Sequence, residues 1–76
     1  MNSSTTEYSF VGDMVLLLRE HAAEIKQGAL ADTDFEKGRL FGYYEVLSLI
    51  QQQARVFGIN AAEISMADFD ADTDIL

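Results

Sequence analysis

The sequence contains no cysteine, no proline and no tryptophan, and its single histidine is His21. Without cysteine there is neither a disulfide nor a thiolate metal site, and one imidazole does not make a histidine-rich one. Without proline, only glycine is left to interrupt a helix, and Leu, Ala, Glu and Gln are plentiful. Strand signals are equally scarce: no Asn-Gly or Asp-Gly pair stands between alternating apolar runs. Positive charge is also short. Five Lys and Arg face thirteen Asp and Glu, a formal net charge of −8. Such a chain repels phosphates, so nucleic acid and anionic membranes are not expected partners, whereas a basic protein is compatible. The most apolar stretch, Leu40 to Ile50, falls far short of the ~20 residues that cross a bilayer. The start MNSSTTEYSF has no basic residue ahead of an apolar run, so the expected compartment is the cytoplasm.

What is present is helical. Val11, Val15, Leu18, Ala22 and Ile25 follow one another at spacings of four and three, and so do Leu40, Tyr43, Leu47, Ile50, Ala54 and Phe57. Spacings that straddle one turn keep side chains on one face of a helix. Two helices are predicted, over about residues 6–27 and 34–57. Ser4 with Glu7, and Thr33 with Glu36, have capping-box spacing. Gly28 and Gly58 stand where a left-handed residue closes a helix, and Ile59 can then fold back on Ala54. The linker from Gly28 to Asp32 is short enough to make the helices antiparallel neighbours. Asn60 and Glu63 suggest one more turn, Ala61 to Met66.

The charge is uneven. Residues 1–58 carry −3, while residues 59–76 carry Glu63, Asp68, Asp70, Asp72 and Asp74 against no base, giving −5. Crowded carboxylates resist compaction, so the expected organisation is a helical domain over residues 1–66 and a solvated acidic tail over 67–76.

Each helix carries a second apolar row: Phe10, Met14 and Leu17 on the first, Phe35, Val46, Leu49 and Val56 on the second. Two helices cannot bury two rows each, and a 76-residue chain without disulfides seldom builds a sufficient core alone. The expected fold is therefore all-α: an antiparallel helical hairpin that dimerises into a four-helix bundle, with Phe10, Met14, Leu17, Phe35, Gly42, Val46 and Leu49 at the dimer interface. Gly38 and Gly42, four apart, make a flat strip that either admits a second helix or makes room for Phe35 and Phe41. The alternative to a dimer is that Ile59, Ile64, Met66 and Phe69 fold back over part of the exposed rows.

Chemistry is thinly represented. His21 lies three residues from Glu24, but no nucleophile accompanies it, and it fits a helix surface better than a general base. Ser48 is a mid-helix serine among apolar neighbours. The alternation Asp68, Asp70, Asp72, Asp74 resembles the start of a calcium loop but lacks its sixth-position glycine, where Thr73 stands, and its twelfth-position glutamate. No phosphate loop, dinucleotide fingerprint, zinc spacing or catalytic triad is present. No catalytic residue, cofactor or metal is expected. Phe41 and Tyr44, near Lys37 and Arg55, are candidate anchors for a partner. The expected function is that of a non-enzymatic homodimeric interaction protein; the alternative is an acidic inhibitor of a basic partner.

Overall fold

The computed structural model describes residues 3–76. Among them the chain is all-helical. Helix α1 runs Ser3–Gln27 and α2 runs Asp34–Val56; a 3-10 turn at Ala61–Ile64 and a short helix α3 at Ala71–Asp74 follow. The expected start near residue 6 and the Ser4–Glu7 capping box do not hold, because Ser4 already lies inside the helix.

The long helices form because their stripes face each other. Val15 and Leu47 are fully buried at the centre, Ala22 and Ala54 toward the two ends, and Val11, Leu18, Leu40, Tyr43 and Ile50 pack around them. The antiparallel register is visible at Tyr43, whose hydroxyl lies 3.5 Å from His21 Nδ1 across the hairpin.

Local chemistry sets the boundaries of α2. The Thr33 hydroxyl accepts the Glu36 N–H at 3.2 Å, while the Glu36 carboxylate turns to Arg39 instead of completing the box. At the other end Gly58 takes a positive φ of 68°. Its N–H reaches the Arg55 carbonyl, and the Ile59 N–H reaches that of Ala54 at 2.8 Å. This is the paired closure that a left-handed glycine permits. Gly28 was expected to act likewise and does not: its φ is not positive, and successive turns through Ala31 and Thr33 lead the chain to α2.

The last eighteen residues differ most from expectation. Residues 67–76 are not a solvated tail. With residues 59–66 they form a strap that crosses one face of the hairpin. Of ten buried apolar side chains among the described residues, the strap supplies five: Ile64, Met66, Phe69, Ala71 and Ile75. The carboxylates do not repel the strap into solvent because each has its own task. The Asp70 side chain caps α3 by accepting the Asp72 N–H, and Asp74 answers by accepting the Asp70 N–H. Asp72 accepts the Tyr44 hydroxyl at 2.7 Å, and Asp68 lies 3.4 Å from Arg19. With the carboxylates turned outward, Phe69, Ala71 and Ile75 point into the hairpin.

Candidate interaction surface

The strap divides the hairpin into a covered face and an open face. On α1 the covered face is marked by Gly12, Arg19 and Lys26. Gly12 is a close approach: a Cβ built there would lie 3.3 Å from the Glu63 carbonyl oxygen and 3.5 Å from Ile64 Cα. Arg19 is the hub. Its Nη1 donates to the Ser65 carbonyl at 2.6 Å, and its guanidinium stacks 4.8 Å from the centre of the Phe69 ring. Lys26 Nζ donates to the Asp74 carbonyl. On α2, Gln51 donates to the Phe69 carbonyl at 2.9 Å, and Tyr44 donates to Asp72. That bond raises the Tyr44 phenol above its ordinary pKa, because ionisation would set a second negative charge against the Asp72 carboxylate.

The open face lies roughly half a turn away on both helices, at about 100° per residue. It carries Phe10, Met14 and Leu17 from α1 and Phe35, Gly42, Val46 and Leu49 from α2. None of these is covered within the chain: Phe10 is 68% exposed, Phe35 64% and Leu49 57%. Nothing lies within 4 Å of a Cβ built at Gly38 or Gly42, so these glycines do not make room for any neighbouring aromatic. At the end of the hairpin, where the N-terminal half of α1 meets the end of α2, an apolar groove of about 420 Å³ opens between Tyr8, Val11, Leu49 and Phe57, with Ile59 and Ile64 of the strap lining its far side.

Phe41 and Tyr44 are not a matched pair of free anchors. Their rings pack together, 5.7 Å between centroids. Phe41 stays half exposed, but the Tyr44 hydroxyl is committed to the strap. The basic groups near them belong to the strap side as well. Arg55 and Ser48 line a polar cavity of about 420 Å³ whose other wall is Asp70, Ala71 and Asp72. Lys37 stands one and two heptads before Tyr44 and Gln51, on the same line of α2.

Charge therefore segregates with the faces. Arg19, Lys26, Lys37 and Arg55 lie on the strap side. Arg39 is nearest the open face, but it is paired with Glu36 at 2.9 Å and rests over the Phe35 ring. Glu36 also raises the Arg39 pKa further, so that cation stays both charged and engaged. Apart from Arg39 and His21, the titratable groups flanking the open row are carboxylates. Glu7 and Asp13 stand three residues either side of Phe10. Glu20 and Glu24 stand three and seven residues beyond Leu17, and Glu45 stands four before Leu49, spacings that place them beside the row.

His21 sits at the edge of this face, edge-on to the Tyr43 ring at 6.4 Å between centroids. Among the described residues no three His, Asp or Glu side chains gather as metal ligands would, and no helix is long and apolar enough to cross a membrane. Sequence reasoning named the exposed row but missed Gly12 and Arg19. The one available signal was a glycine inside an otherwise strong helix former. Compared with protein families, with curated proteins and with solved structures, the chain finds no match in any of the three.

Proposed function

We propose that this chain is a non-enzymatic protein-interaction module whose working surface is the open face of the hairpin. The observation that carries the proposal is the continuous row of Phe10, Met14, Leu17, Val46 and Leu49, left exposed while the strap covers the opposite face. Scattered exposed apolar residues are ordinary; a contiguous row beside an apolar groove marks an interface.

A second copy is one occupant, and the pair would make the four-helix bundle expected from the sequence. Its support is the exposed row itself, since a two-fold axis would set the same apolar patch of both copies face to face. Against it stands the strap, which gives a single chain a core of its own and removes the need for a dimer to supply one.

Site-specific photocrosslinking in the cells that make the protein tests the function directly. A photoreactive residue at Leu17 or Val46 is expected to yield a discrete adduct, and one at Thr73, exposed on the strap, is not. Adducts of twice the monomer mass identify a second copy. No adduct from either open-face position would falsify the proposal.

A further inference from the structure

Resting on that function, we infer that the open face receives an amphipathic helix with basic flanks, from a protein other than this chain. Three observations set the chemistry of the occupant. By helical phase the α1 row and the α2 row both lie about half a turn from the strap, so they stand as two ridges on one side of the antiparallel hairpin. A helix lying between them presents apolar anchors at i, i+3, i+4 and i+7, and a single large side chain fills the groove beside Phe57. Gly38 and Gly42 leave part of the α2 ridge without side chains and open to solvent, so a helix backbone can come close there.

Charge then selects among helices. Glu7, Asp13, Glu20, Glu24 and Glu45 flank the row, and the cations that would neutralise them are held elsewhere: Arg19 and Lys26 on the strap, Arg39 on Glu36. A helix with Lys or Arg beside its apolar stripe meets each flank with the opposite sign, which speeds encounter and fixes orientation. A second copy meets it with the same sign. Two acidic flanks brought within the screening length of about 8 Å repel at physiological salt, and the one arginine on the row, Arg39, is already paired with Glu36. Anionic lipid and nucleic acid fail for the same reason.

The test uses the intact chain and a designed peptide of about 18 residues, five helical turns of leucine and lysine with leucine at the four anchor spacings. A scrambled peptide and a leucine–glutamate peptide of the same pattern are the controls. The leucine–lysine helix is expected to bind at least tenfold more tightly than either, to weaken as salt rises, and to lose at least tenfold on Val46→Gln or Leu17→Gln but not on Thr73→Ala. Glu20→Gln with Glu24→Gln is expected to flatten the salt dependence while the melting temperature holds. Equal binding of the scrambled peptide, or no loss on Val46→Gln, overturns the inference. So does twofold mass in sedimentation with no peptide binding. Photocrosslinks from Leu17 in cells, together with a failed peptide, would leave the interaction function standing and remove the basic helix.

Discussion

Gly12 and Glu63 define how the strap lies on the hairpin: a methyl group on the glycine would stand 3.3 Å from the glutamate's carbonyl oxygen. The contact is with backbone on the strap side, and backbone does not rotate out of the way. Gly12→Leu is therefore expected to lift the strap and to destabilise by about 1–3 kcal/mol, the cost of overpacking. Urea melts measure it.

Gly38 and Gly42 should respond in the opposite sense. Both are helical and open, so alanine adds helix propensity and meets nothing. Gly42→Ala is expected to stabilise the free chain by about 0.5–1 kcal/mol. If the open face docks a helix across Gly42, the same substitution weakens docking. A change that raises the melting point and lowers affinity together separates a binding surface from an idle one.

Removing residues 67–76 is expected to collapse the cooperative melt, since Phe69, Ala71 and Ile75 leave the core with them. Phe69→Ala alone should cost about 3–5 kcal/mol, in the range of Leu47→Ala at about 2–5. Leu18 is only half buried and should cost less than Leu47. Circular dichroism of the truncated chain with an unchanged melting temperature would show that the strap contributes nothing.

Tyr44 links the strap to pH. Its phenol holds its proton more tightly in the folded chain than in the unfolded one, because the hydroxyl donates to Asp72. A raised pKa contributes stability that is complete below the unfolded value, about 10, and is lost as pH climbs through the higher folded value. Alkaline titration should therefore loosen the strap. Tyr44→Phe should lower stability at neutral pH and remove that tyrosine's share of the alkaline loss. Monitoring the melting temperature from pH 8 upward tests both.

Val46→Glu is expected to leave the fold intact, since the side chain is half exposed and touches solvent on the open face. Binding to any apolar partner should fall at least tenfold. Were the variant unfolded, Val46 would belong to a core this structure does not show.

Much of the hairpin was legible. Stripes at alternating three and four spacing, the Thr33 cap and the Gly58 closure are local features, and helices are local structures. A fold-back of Ile59, Ile64, Met66 and Phe69 was expected only as an alternative, and over the exposed rows; the strap packs on the opposite face and leaves those rows open. Its carboxylates were counted as a block of like charge, whereas Asp70 and Asp74 cap the same short helix and Asp72 and Asp68 meet Tyr44 and Arg19. Those pairings join residues up to 49 apart, and no spacing rule reaches so far. The surplus of apolar rows was legible from spacing alone: Phe10, Phe35, Val46 and Leu49 stay exposed on the single chain, and the strap packs on the opposite face.

The strap's share of the core has a consequence for how the protein is made. A ribosome delivers the chain from its N-terminus, and the hairpin is complete when Val56 emerges. Ile64, Met66, Phe69, Ala71 and Ile75 are still to come, so a nascent hairpin offers both faces to its surroundings at once. Final packing must wait for synthesis to pass Ile75. A chain that stalls or is clipped before that point displays the groove meant for its own strap, which is the kind of surface that chaperones and proteases select.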